Sequence, residues 1–304
     1  MQHLNTSSSN STTWNTENLA PSVVLGLCCL GGVPSNIAVV MVIGRNFKRE
    51  NFTLKLMLNL AVSDLLSLIT LPLWIHALLR GWQFGRPLCK FLSYMVYCSL
   101  YVSLLTVTLM SVQRYLTVLY AQRWRRLRGT GERVLLIALW GLSGVLASPD
   151  IIVRELVVQE NKHIYCMRKY RSNGEEVTVL LAETVLGFVV PFSILVTSYF
   201  CLHKKVNQTA FFSSQRMTKL ITSIVVTFFI FWSPVHVTNI LGIAAVSLKS
   251  QSLRNVCEAA WGITGALTFI NSCVNPFIYA FTSRNLRHDE QQSANTTDVS
   301  TVNV

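Results

Sequence analysis

Residues 91–113 read FLSYMVYCSLYVSLLTVTLMSVQ, with no charged side chain until Arg114. A helix needs roughly 20 consecutive apolar residues to cross the hydrocarbon core of a bilayer. No water is available there to satisfy the backbone, so such a run must pair its own N–H and C=O groups as a helix. It is too long, and lacks the two-residue alternation, for a barrel strand. Working outward, six more runs of this kind lie at about 21–44, 56–79, 134–153, 177–202, 220–245 and 259–281. The segments between them are too short for a soluble domain. The expected fold is an all-α membrane protein, a seven-transmembrane helix bundle over 21–282, with a polar N-terminus at 1–20 and a tail at 283–304.

Composition agrees. Only 13% of the 304 residues are charged and 51% are hydrophobic, where a soluble domain is about a quarter charged. Residues 1–20 hold no Lys, Arg or apolar core, so no cleavable signal peptide is expected. Sequons at Asn5 and Asn10 would be glycosylated if the N-terminus lies outside the cell. With that orientation 16 of the 26 basic residues face the cytosol, which fits the positive-inside rule. The net charge of +12 is read as a cytoplasmic face on anionic membrane lipid rather than as a nucleic-acid surface. The expected location is the plasma membrane, multi-pass, with the N-terminus extracellular.

Cys89, at the outer end of the third run, and Cys166, after the fourth, both fall on the oxidising side, where a disulfide is expected; the alternative is two free thiols. Such a bridge would tie the second outer loop across the mouth of the bundle. At membrane depth a charge is costly and is read as functional. Asp64 lies in the second run, with Asn36, Ser103, Asn271 and Asn275 at compatible depths. Oxygen ligands around one carboxylate suit a sodium ion at Asp64, Ser103, Asn271 and Asn275; a buried hydrogen-bond network between helices is the other reading.

Short motifs then recur, one per run and in order. Gln113-Arg114-Tyr115 closes the third run, Trp140 marks the fourth, and Pro191 and Tyr199 the fifth. Phe228 with Trp232-Ser233-Pro234 marks the sixth, and Asn275-Pro276-Phe277-Ile278-Tyr279 the seventh. Together they resemble the class A, rhodopsin-like, G-protein-coupled receptors over nearly the whole chain. The resemblance implies a heterotrimeric G-protein partner and an activation switch. By that resemblance Arg114 would turn toward Tyr199 as the sixth helix swings out, and Trp232 would act as a piston below the ligand. Gln113 replaces the usual acid, and Ser214 stands where many members carry a glutamate, so the anionic restraint on Arg114 is weak. Residues 281–287 resemble the start of a short amphipathic eighth helix. The polar tail at 288–304, expected to be disordered, offers Thr296, Thr297, Ser300 and Thr301 to receptor kinases and arrestin.

Within that family the stretches 99–105, 183–192 and 232–239 resemble the leukotriene B4 receptor branch of chemoattractant receptors. This resemblance implies an anionic lipid mediator, leukotriene B4 or a related hydroxy fatty acid, and a G protein of the inhibitory class. Arg154 would pair with the carboxylate, Glu183, Asn239 and Tyr101 would bond hydroxyls, and His236, Trp232 and Trp261 would line the pocket. Ser93 stands where one subtype has a histidine, and Trp261 where an arginine is expected. Ten outer basic residues against six acids give the mouth a modest pull on anions; an ordinary mixed surface reads the same way. No acid in the upper third run awaits an amine, and a peptide chemoattractant is the alternative ligand. No cofactor is expected beyond the sodium ion. Among rival classes, Gly141-Leu142-Ser143-Gly144 with His236 resembles a rhomboid-type protease. Small residues in membrane helices more often serve close packing, and no enzyme is expected. A transporter is disfavoured because the seven runs show no internal repeat.

Overall fold

The computed structural model describes the backbone of residues 18–45, 52–120, 122, 124, 129–158, 163–206 and 212–301, and side chains in those ranges except 203–221 and 278–301. Among the described residues six helices are long and apolar enough to cross a bilayer: Leu19–Arg45, Phe52–Arg80, Gly85–Leu119, Thr130–Val153, Asn173–Leu202 and Thr222–Ser247. The sixth begins earlier, running Phe212–Ser247, and a seventh starts at Gln251 and packs along the first and sixth. These are the first to seventh spans below. The third is the most buried of the six and forms the central strut. The outside of the bundle is apolar: Leu27, Leu30 and Ile137 are 66%, 77% and 73% exposed. Water would make such a surface an aggregation site, whereas lipid tails are as apolar as the side chains.

Proline chemistry shapes the spans more than their hydropathy suggests. The second divides into Phe52–Leu68 and Leu71–Arg80. Pro72 falls in the first turn of the second piece, where a missing N–H leaves nothing unpaired. The Thr70 hydroxyl donates to the Ser67 carbonyl at 2.7 Å across the break. In the fifth, Pro191 offers no N–H to the Gly187 carbonyl, and the helix loosens into a π turn over Val185–Val189 just upstream. Pro234 and Pro276 lie inside the sixth and seventh. The Ser233 hydroxyl donates to the Phe229 carbonyl at 2.5 Å, in the turn that Pro234 weakens.

Between the fourth and fifth spans the sequence suggests only a loop. The structure has an antiparallel hairpin, Arg154–Val158 with Ile164–Arg168. Its β-branched and aromatic residues suit a pleated pair. The Cys89–Cys166 disulfide, with its Cα atoms 5.7 Å apart, ties the second strand to the head of the third span. A second tie comes from Trp82, whose backbone N–H donates to the Ile164 carbonyl at 2.6 Å. Gly81 beside it has φ +81°, and a Cβ there would stand 3.1 Å from that same carbonyl.

The helix from Gln251 continues to Thr301, through the residues where a short eighth helix and a polar tail are expected. No Gly or Pro follows Pro276 to stop a helix within that stretch.

Candidate functional site

The register of the hairpin decides what gathers at the disulfide end of the bundle. Arg154 and Arg168 are cross-strand partners at its base. Like charges facing each other across a strand pair repel, and Asp150, one helical turn before Arg154, relieves this. Its Oδ1 lies 3.1 Å from Arg168 Nη2 and 3.7 Å from Arg154 Nε. Glu183, on the fifth span, accepts from Arg168 Nη1 at 3.0 Å and pairs through its other oxygen with Nη2. Asn239 of the sixth span donates to Glu183 at 3.2 Å. Aromatic faces hold the cations from the other side. The Arg168 guanidinium lies 4.9 Å from the Tyr97 ring centroid and 5.3 Å from that of Trp261, with Arg154 at 5.8 Å from Tyr97. Burial works against the charge on Arg168, but Asp150 and Glu183 outweigh it and hold its pKa well above the usual value.

Arg154, Tyr101, Glu183, Asn239 and Trp261 thus lie in and around one cluster, and two of them are already paired within it. Arg154 was expected to stand ready for a ligand carboxylate, yet it is 9% exposed, shares Asp150, and donates through Nη1 to the Cys166 carbonyl at 3.3 Å. Glu183, expected to meet ligand hydroxyls, is occupied by Arg168. Sequence reasoning missed Arg168 and Asp150. Both left a signal: Arg168 follows Cys166 by two residues, so the disulfide fixes its place, and Asp150 is a charge inside an apolar run. Arg168 also answers the departure at Trp261, since a cation absent from the seventh span arrives there from the hairpin. Three further outer cations are already engaged. Arg254 pairs with Glu176 at 3.5 Å. Arg86 and Lys90 lie 2.6 and 3.0 Å from Glu155, and their hydrogen bonds pull its carboxyl down to about 2. Ser93, the other departure, sits 3.8 Å from the Cys166 sulfur.

Below the polar cluster the lining turns aromatic. Trp232 stacks on Phe228 at 4.8 Å and on His236 at 5.8 Å, and His236 on Phe188 at 4.8 Å. His236 is 4% exposed, and neither ring nitrogen has a hydrogen-bond partner among the described residues. Tyr101 closes the column from the third span. Gly187, in the π turn, allows that approach, because a Cβ there would lie 3.3 Å from Tyr101 Cε1. An apolar cavity lined by Leu104, Phe188, Phe192, Phe228 and Phe229 continues the column inward. The Ser143 hydroxyl donates to the Leu139 carbonyl of its own helix at 2.8 Å, while His236 stands in this aromatic stack, which is no serine–histidine dyad.

At mid-depth the Asp64 carboxylate, fully buried, accepts from Ser103 at 2.8 Å and from Asn275 Nδ2 at 2.9 Å. The amide oxygens of Asn271 and Asn275 are buried without a partner among the described residues. Asn36 donates to the Ser272 carbonyl at 2.9 Å, joining the first and seventh spans. Trp140 donates to Asn59 at 2.9 Å, and Asn59 to Thr106 at 2.8 Å, joining the fourth, second and third.

At the opposite end Gln113 donates to the Thr53 hydroxyl at 3.0 Å. Arg114 is half-buried beside it, and Tyr115 lies edge-on to Tyr120 at 6.2 Å. Tyr199 is 43% exposed on the outside of the bundle. Tyr279 is in the seventh helix, but its side chain, like that of Ser214, lies outside the described residues, as do Asn5 and Asn10.

A helical membrane bundle with a disulfide-clasped hairpin over a polar cluster and an aromatic column is the form of a receptor. Residues 35–279 match the family model described as 7 transmembrane receptor (rhodopsin family). The chain is 32% identical over 277 residues to leukotriene B4 receptor 1 of Homo sapiens, covering 86% of this chain and 76% of that one. It is 32% identical over 284 residues to the G-protein coupled receptor E1 of Equine herpesvirus 2, covering 90% and 74%. It is 33% identical over 272 residues to the type-1 angiotensin II receptor of Gallus gallus, covering 84% and 75%. The chain belongs to the rhodopsin family of seven-transmembrane receptors. It is a multi-pass plasma-membrane receptor, and no enzyme, that takes a ligand and couples to a G protein.

Proposed function

We propose that this receptor, its N-terminus extracellular, answers an anionic lipid mediator, leukotriene B4 or a related hydroxy fatty acid, and signals through an inhibitory-class G protein. The observation that supports this most is the placing of two arginines with largely covered side chains, Arg154 and Arg168, above a column of aromatic rings at Tyr101, Trp232, His236 and Phe188. A carboxylate matches a guanidinium, and an apolar chain matches the column. The unpartnered nitrogens of His236 and the amide of Asn239 suit hydroxyls along the chain. The kinship to a leukotriene B4 receptor points the same way. One such charge-assisted contact contributes about 1.5–3 kcal/mol, ten- to a hundredfold in affinity. Methyl-esterifying leukotriene B4 should therefore weaken it at the wild-type receptor by at least tenfold, and by distinctly less at Arg154→Ala, where one of the two guanidiniums that share the carboxylate is gone. Equal sensitivity of both to esterification would remove Arg154 from the anchor. A cAMP or calcium screen with no response to any hydroxy fatty acid would end the lipid reading. The similarity to angiotensin receptors keeps a peptide ligand as the second reading, and a response in the same screen to peptides alone would favour it.

The same reading gives Asp64 a sodium ion. Its carboxylate, the Ser103 hydroxyl and the orphaned amide oxygens of Asn271 and Asn275 supply hard oxygen donors of the kind such a cation takes. Bound there, the ion would neutralise a buried charge and hold the second, third and seventh spans together. Receptor kinases and arrestin would act on the Ser and Thr residues of the tail.

A further inference from the structure

We propose that Glu183 is a built-in stand-in for the anionic head of the ligand: it holds Arg168 in the resting receptor, and an incoming carboxylate takes its place there and frees both Glu183 and Asn239. This deepens the reading of an anionic lipid ligand and rests on it, although one arm of its test needs no ligand. Two arginines face two carboxylates in the cluster, so it is neutral as it stands. Adding a further anion to a neutral buried cluster is costly unless a resident anion withdraws. Asp150 is poorly placed to leave. Its side chain is 3% exposed, and it answers both arginines, whose repulsion across the hairpin would otherwise be unrelieved. Glu183 is more open, at 12%, and of the two arginines it answers only Arg168. When Glu183 lets go, Asp150 and the faces of Tyr97 and Trp261 keep the guanidinium in position. The exchange reaches beyond the pocket because Glu183 also holds Asn239. One ion pair and one hydrogen bond thus link the hairpin, the fifth span and the sixth, and the sixth is the helix that carries Trp232 and Pro234.

The test is Glu183→Gln, which keeps the shape and an acceptor for Asn239 but removes the competing charge. At matched surface expression its basal signalling should exceed that of wild type. Arachidonic acid, a carboxylate without hydroxyls, should bind it about tenfold tighter than wild type, while arachidonic acid methyl ester gains nothing. Arg168→Gln should lose the preference for acid over ester. Should that variant fail to reach the surface, the neutral pair Glu183→Gln with Arg168→Gln should reach it and still show no preference. A wild type deaf to every fatty acid, with raised basal signalling in Glu183→Gln, would overturn the lipid reading and leave the Glu183 latch standing. Basal signalling and acid-over-ester preference both unchanged in Glu183→Gln would overturn the latch itself.

Discussion

At the Arg114 end of the bundle Gln113 replaces the acid usual in the family, and its amide is engaged with Thr53 at 3.0 Å. An amide offers the neighbouring guanidinium no charge, so Gln113 itself places no ionic restraint on Arg114. A partly buried ion pair is worth about 1 kcal/mol, enough to move a two-state equilibrium several-fold. Gln113→Asp should therefore lower basal signalling several-fold, read as G-protein activation without agonist at equal surface expression. Unchanged or higher basal signalling would count against it. Single residues were legible in the sequence where the family pattern names them or where a charge interrupts an apolar run, as at Asp64. Arg168 was only half legible: its spacing from Cys166 puts it near the mouth, but hairpin register alone makes it face Arg154 and lie against Trp261.

Among the elements, the spans were legible because lipid leaves a chain few choices; the first, second, fourth and fifth end close to the long uncharged runs, while the third, sixth and seventh helices extend past them. The hairpin was not legible, since five-residue strands carry little pattern and lie in polar company. What positions the hairpin is a pair of ties at its second strand. Replacing Cys166 with Ala should cut surface expression and ligand binding together, and normal binding by that variant would dismiss the bridge as a support of the site. Gly81→Ala tests the other tie. A left-handed backbone costs an L-residue roughly 1–2 kcal/mol, and the new methyl would press on the Ile164 carbonyl. Thermal melting of the purified receptor should fall by at least about 2 °C and ligand affinity by several-fold. An unchanged melt would mean that the loop rearranges freely.

Over the whole molecule, a layer of buried polar groups at Asp64, Ser103 and Asn275 lies between the two ends. If sodium binds there, exchanging sodium chloride for potassium chloride should raise agonist affinity at the wild type, and Asp64→Asn should be indifferent to the exchange. Equal salt response in both would leave the layer a purely structural network. The fifth span runs between the same two ends, with Glu183 above its π turn and Tyr199 below it. A π turn accommodates one residue more than the α-helix around it, and one residue of an α-helix is about 100° of rotation. Each end of that rod is therefore set to its own phase, as if a gear had been cut with one extra tooth. Deleting Leu186 would remove the tooth: we expect a stable helix without the bulge that binds ligand at one end and has lost its alignment with the G protein at the other.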